Sequence, residues 1–161
     1  MLVLVAIACV LAGCMDTDCG ALAQEDASVE IGWGEDEFHP LADGDVVDLY
    51  AGSQGGHHVW GAARTAGIAR GHPFYPYDEH NPLVSFSLVA ADGTVVAETY
   101  PDRFLFREDE DGRGWMSGAR VIVYGPSGTE EGAPPLPYTF SVRVEDTCGR
   151  VVEDERVVDL P

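Results

Sequence analysis

The feature that most constrains the fold is an alternation of apolar and polar residues that is interrupted by a turn signal. In the stretch LVSFSLVAADGTVVAETY, apolar residues at 84–90 alternate with serines, and Asp92-Gly93 then supplies the positive φ angles of a two-residue turn. A period of two is typical of a β-strand that buries one face. The stretch therefore predicts a β-hairpin in which Val95 and Ala97 lie opposite the apolar face of the first strand.

A second hairpin is predicted near the carboxyl end, in YTFSVRVEDTCGRVVEDERVVDL. Tyr138, Phe140, Val142 and Val144 form the apolar face of its first strand, and Cys148 lies at the tip of the turn. The charges at 153–156 on the return strand are suited to an exposed edge strand, because charged side chains discourage pairing with another chain.

The remaining sequence contains shorter β-type runs and no convincing amphipathic helix. These weaker strand candidates are Ser28–Ile31, Val46–Tyr50, His57–Arg64, Arg103–Phe106 and Ala119–Tyr124. Seven to nine short strands in a single domain predict an all-β fold, namely an antiparallel two-sheet β-sandwich that is Ig-like. A jelly roll is the alternative topology.

The amino terminus carries an uncharged apolar run, Leu2–Ala12, which ends at small residues and Cys14. As a helix it reaches only about 16 Å, which suits a secretory signal and is too short to span a bilayer. The pattern Leu11-Ala12-Gly13-Cys14 resembles the lipobox of bacterial lipoproteins, although no Lys or Arg precedes the run. The resemblance implies that the signal peptide 1–13 is removed and that Cys14 receives a diacylglyceryl thioether and an N-acyl chain such as palmitate.

This resemblance divides the chain into the signal peptide, a lipidated tether at 14–27 and a sandwich domain at 28–161. It also leaves Cys19 and Cys148 as the remaining cysteines, and an exported protein is expected to join them in a disulfide. The alternative is that Cys19 lies in a flexible tether and never meets Cys148. Because Asp does not directly follow Cys14, the outer membrane is expected rather than the inner membrane.

The net charge of -19 limits the classes of partner, since all nine basic residues are Arg and none belongs to residues 1–13. An acidic surface disfavours nucleic acid and anionic lipid headgroups, which require basic patches. The expected contacts are therefore the membrane, through the lipid on Cys14, and an envelope protein or polysaccharide. We expect no nucleic acid and no cofactor.

No enzyme signature is present: the sequence has no GxSxG elbow, no phosphate-binding loop and no lysine. The acidic run at 108–111 does not match the spacing of a calcium-binding loop and predicts a solvated hairpin tip. We therefore expect a binding or structural module of the cell envelope rather than an enzyme.

Two stretches are candidates for a binding role. The run GSQGGHHVWGAAR resembles a Q-G-G-x-H-x-W segment of uncharacterised Ig-like β-sandwich lipoproteins, which implies no known activity. The run GHPFYPYDEHNP is rich in aromatic residues and predicts a rigid recognition loop, in which Phe74, Tyr75 and Tyr77 would contact the partner. The alternative function is copper or zinc binding by two or three histidines, if the loop folds back on the strand and brings His72 and His80 to either His57 or His58.

Overall fold

The computed structural model describes residues 19–52, 56–72, 74–123 and 137–161. Several predictions lie outside the described residues: the signal peptide 1–13, Cys14 and the rest of the tether up to residue 18, Gln54 and Gly55 of the Q-G-G-x-H-x-W segment, and Tyr124 at the end of a strand candidate. The described chain forms a single-turn helix, α1 (Cys19–Leu22), and twelve strands. The strands are β1 (Ser28–Trp33), β2 (His39–Pro40), β3 (Asp45–Val46), β4 (Tyr50–Ala51), β5 (His57–Ala66), β6 (Leu83–Ala90), β7 (Val95–Glu98), β8 (Asp102–Arg103), β9 (Arg107–Glu108), β10 (Gly114–Val123), β11 (Tyr138–Glu145) and β12 (Val151–Asp159).

All twelve strands belong to one mixed sheet, so the prediction of an all-β fold is confirmed. Its main order is β2-β1-β5-β10-β7-β6-β11-β12-β3, while β4 pairs with β5, β8 with β6 and β9 with β10. The pairing of β12 with β3 is parallel, and the other pairings are antiparallel.

Two of the weaker strand predictions are wrong in detail. The segment Val46–Tyr50 is not one strand, because its two ends pair with different neighbours: β3 joins β12 and β4 joins β5. The segment Arg103–Phe106 is mostly a connection between the two-residue strands β8 and β9. Such short strands raise the total above the predicted seven to nine.

The core is built from the inward faces of strands that alternate as predicted. On β6 and β11 the cross-strand pairs Val84–Val144, Phe86–Val142 and Leu88–Phe140 are all buried. Buried residues of β1, β5 and β10 belong to the same hydrophobic cluster, including Ile31, Val59 and Val121. The sheet therefore wraps around a single core.

The hairpin of β6 and β7 forms, but its turn is one residue longer than predicted. The Ala90 N–H donates to the Thr94 carbonyl and the Gly93 N–H donates to the Ala90 carbonyl, so the loop has three residues with Gly93 at φ 87°. An irregularity between Leu88 and Val89 then changes the register. Ala97 faces the core as expected, whereas Val95 pairs with Val89 and is exposed.

The charged strand β12 is not simply an exposed edge. Asp154 and Arg156 lie on the same face as the buried Val158 and bind the backbone of the opposite end of the sheet. The Ile31 N–H donates to Asp154 Oδ2 over 2.9 Å, and Arg156 Nε donates to the Leu41 carbonyl over 3.2 Å. These two side chains satisfy backbone groups that no neighbouring strand pairs.

The expected disulfide between Cys19 and Cys148 is present, with 5.5 Å between the Cα atoms. The Arg150 guanidinium donates to the carbonyl oxygens of Leu22, Glu25 and Gly67. Residues 19–25, which belong to the predicted tether, are thus held against the turn that joins β11 to β12. None of the described residues forms a helix of the length and apolarity needed to cross a membrane.

Candidate functional site

The most exposed aromatic side chains of the predicted recognition region cluster at residues 74–82, which we call the aromatic loop. Phe74, Tyr75 and Tyr77 are 78%, 62% and 80% exposed. Large aromatic side chains are usually much more buried than this, and contiguous exposed apolar surface marks interaction sites. The aromatic loop is therefore the leading candidate for a binding surface.

A fully buried asparagine fixes the shape of this loop. Asn81 donates from its side-chain amide to the Tyr75 carbonyl over 2.7 Å, and its side-chain oxygen accepts the His72 N–H over 2.8 Å. The Arg103 guanidinium donates to the Asn81 carbonyl over 2.6 Å. At Gly71, where φ is +77°, an added Cβ would lie 2.5 Å from the Asn81 Cα, so only glycine fits beside it.

The tip of the loop is held by a second local network. Asp78 Oδ1 accepts the His80 N–H over 2.9 Å and lies 2.7 Å from Nδ1 of the His80 ring. These hydrogen bonds, the backbone one first, lower the pKa of the Asp78 carboxyl. On the other side, the His72 ring packs against Tyr75 with 4.4 Å between centroids. The aromatic side chains are consequently presented on a pre-organised backbone.

Both ends of the loop attach beside the turn that joins β11 to β12. Before the loop, the Ala69 N–H donates to Oδ2 of the buried Asp146 over 2.9 Å. After the loop, Leu83 pairs with Glu145 at the end of β11. The aromatic loop, the 146–150 turn and the disulfide of Cys148 therefore share one end of the molecule, which we call the disulfide end.

Among the described residues, the structure does not assemble a metal site from the predicted histidines. Within the described ranges, no group of three or more His, Cys, Asp or Glu side chains is arranged to hold a metal ion. His57 and His58 are neighbours on β5, while His72 and His80 each make the contacts within the loop region given above. The copper or zinc hypothesis thus has no ligand set in the described part of the chain.

His58 is instead buried among aromatic side chains, on the face of β5 opposite to the core residue Val59. Its ring lies 4.7 Å from that of Trp60 in an edge-on contact and 5.9 Å from that of Tyr50. Burial, with the positive charge of Arg120 second, lowers the pKa of His58 below 6.5. Its Nε2 atom is buried and has no hydrogen-bond partner among the described residues.

The acidic segment forms the exposed hairpin tip that its spacing predicts, between β9 and β10. Asp109 Oδ1 accepts the backbone N–H groups of Asp111 and Arg113, and Asp109 Oδ2 lies 3.1 Å from Arg113 Nε. Partial desolvation opposes ionisation of Asp109, but the hydrogen bonds and charge of Arg113 outweigh it and lower its pKa. The Asp109 carboxylate thus stabilises the turn through these contacts.

One surface feature was not predicted from the sequence, a groove of about 520 Å³ on the outer face of β6, β7, β11 and β12. Its floor contains Ser85, Ser87 and Ser141, which are the polar positions of the alternating strands. Arg143 lies within it and is already paired with Glu145 and Glu153. The sequence signal that could have predicted this groove is the repetition of serines on adjacent strands, since small outward-facing residues leave a concave surface.

Comparisons of the chain with protein-family models, with curated proteins and with solved structures found no match.

Proposed function

We propose that the protein is an exported lipoprotein of the cell envelope, anchored through acylated Cys14, that acts as a binding or structural module rather than as an enzyme. The anchor is inferred from the apolar run Leu2–Ala12 and the sequence Leu11-Ala12-Gly13-Cys14. Because Met15 rather than Asp follows Cys14, the outer membrane is the proposed location.

The observation that carries the binding role is the aromatic loop. It exposes Phe74, Tyr75 and Tyr77 while the buried Asn81 holds its backbone. A rigid surface binds with a smaller loss of conformational entropy than a flexible one. Tyrosine supplies a large contact area together with a polar hydroxyl group, which is why it is enriched at interfaces.

We also propose that the wrapped sheet is a β-sandwich, whose two layers are formed by the β1–β5–β10 side and the β6–β11–β12 side. Gly61 on β5 supports this arrangement, because a Cβ added there would lie 2.9 Å from the Phe86 ring on β6, although β5 and β6 are not neighbours in the sheet. The hydrogen bond from Ile31 on β1 to Asp154 on β12 supports it as well.

The lipid anchor is tested by Cys14→Ser in a bacterial host that is fed a labelled fatty acid. We expect this variant to lose the label and to leave the membrane fraction, since it lacks the thiol that forms the thioether. Cys9→Ser is the matched control: it alters a cysteine inside the proposed signal peptide and should keep the label. Retention of the label or of membrane association by Cys14→Ser would contradict the proposal.

A further inference from the structure

We infer that the aromatic loop is a second membrane contact, whose partner is the interfacial region of the same bilayer that holds the lipid on Cys14. This inference rests on the proposed lipid anchor and names the partner of the proposed binding surface. Phe74, Tyr75 and Tyr77 are the contacting side chains.

The first step is the short distance between the anchor and the folded domain. Cys19 follows Cys14 by only five residues in the sequence. A fully extended chain spans at most about 3.6 Å per residue, so this segment reaches about 18 Å. Cys19 is bonded to Cys148, and Arg150 holds the carbonyl groups of Leu22 and Glu25. Cys19, at the disulfide end, therefore lies within about 18 Å of the acylated residue.

The second step is the location of the aromatic loop at the disulfide end. Ala69 is bonded to Asp146, and Leu83 pairs with Glu145, so both ends of the loop are fixed within a few residues of Cys148. A short, cross-linked tether thus brings this loop to the bilayer surface. A soluble partner would have to enter the narrow space between the domain and the bilayer, which the reach of the tether limits, whereas the bilayer itself is next to the loop.

The third step is the chemistry of the exposed side chains. Aromatic rings with one polar end concentrate at the membrane–water interface, where the ring is partly dehydrated and the hydroxyl stays hydrated. Tyr75 and Tyr77 have this character, and Phe74 adds a wholly apolar ring. The hydrogen bonds of Asn81 hold the loop in shape, so its insertion requires little ordering.

The charge of the same end selects the type of lipid. Asp78 and Glu79 belong to the loop, and the pairing of Gly114 with Thr65 brings the acidic hairpin tip to this end of the sheet. Carboxylates at the surface are repelled by anionic headgroups, and the repulsion is screened by salt. The expected surface is therefore zwitterionic phospholipid, and anionic lipid should weaken the contact.

The test uses the acylated full-length mature protein, reconstituted in phosphatidylcholine vesicles with and without brominated acyl chains. Phe74→Trp introduces a reporter in the loop. Val95→Trp is the matched control, since Val95 is 54% exposed beside the 91–93 turn at the opposite end. The emission of the three native tryptophans is subtracted with the unsubstituted protein. Intact-mass spectrometry of the same sample reports the acyl chains.

We expect the added fluorescence of Phe74→Trp to fall at least twofold with brominated lipid, and that of Val95→Trp to stay unchanged. Replacing about a third of the lipid with phosphatidylglycerol should reduce the quenching of Phe74→Trp at low salt, with recovery as salt screens the repulsion. If acyl mass is present and the two reporters respond equally, or neither responds, the membrane contact is refuted while the lipid anchor stands. In that case the partner of the aromatic loop is a protein or a polysaccharide. If acyl mass is absent, the anchor and this inference both fail.

Discussion

Asp146 joins two segments of the disulfide end through its side chain. Its side chain accepts three backbone N–H groups, each at 2.9 Å: those of Cys148 and Arg150 within the turn, and that of Ala69 from the segment before the aromatic loop. Asp146 is itself buried, so these donors replace the water that its carboxylate would otherwise bind. Asp146→Ala removes all three acceptor contacts at once.

The expected cost follows from the burial of each donor. A hydrogen bond to a charged group contributes about 1.5–3 kcal/mol to stability. The loss is near the upper end of this range when the donor is buried and is left without an acceptor. The bond from Ala69 is buried, whereas those within the turn are partly buried and can regain water. We therefore expect Asp146→Ala to lower the free energy of unfolding by about 4 kcal/mol.

Asp146→Asn is the graded control, because the two side chains have nearly the same shape. The asparagine oxygen can still accept the two turn amides, but its NH₂ group faces the N–H of Ala69, and we expect a loss of about 2 kcal/mol. Urea unfolding with the disulfide intact measures both values, and hydrogen exchange at Ala69 reports the buried bond. Equal effects of the two substitutions, or a loss below about 1 kcal/mol for Asp146→Ala, would refute this reasoning.

Two further predictions concern buried residues of β5. Because burial lowers the pKa of His58 below 6.5, the unfolded state binds more protons, so this contribution to stability is full above about pH 6.5 and is lost as the pH falls through the folded-state value. His58→Phe should therefore reduce the dependence of the free energy of unfolding on pH between about pH 7.5 and 5, measured by urea unfolding. An unchanged dependence would contradict this assignment to His58. Gly61→Ala should cost about 1–3 kcal/mol, since the new Cβ would meet the buried Phe86 ring at 2.9 Å. Phe86→Leu in the same chain should recover part of this cost, and strict additivity of the two effects would argue against direct contact between positions 61 and 86.

Local periodicity was sufficient to predict the strands that bury one face. The alternation on β6 and β11 predicted which residues face the core, and Asp92-Gly93 and Asp146–Gly149 marked the turns. It did not predict the extra loop residue before Thr94 or the exposure of Val95. An alternating sequence looks the same whichever way two strands are aligned. The irregularity between Leu88 and Val89, which sets the alignment of β6 with β7, therefore has no signature in the alternating pattern.

The candidate site was only partly predictable from the sequence. The aromatic composition of the loop drew attention to Phe74, Tyr75 and Tyr77, and their exposure agrees with a surface role. The histidine hypothesis could not be judged from the sequence, because a count of histidines says nothing about the distances between them. In the described residues His58 is buried beside Trp60, and no three side chains of the ligand type come together.

By itself, the sequence determined the β character of the chain and the two hairpins, because each of these follows from neighbours along the chain. The resemblance to a lipobox selected Cys19 and Cys148 as the pair expected to form a bridge. Only the tertiary structure decided that Asp154 and Arg156 turn inward to bind the backbone of Ile31 and Leu41, and that the aromatic loop shares an end with Cys148. Those relations join residues far apart in sequence. They depend on how the strands pair and how the sheet wraps around its core, which no local pattern encodes.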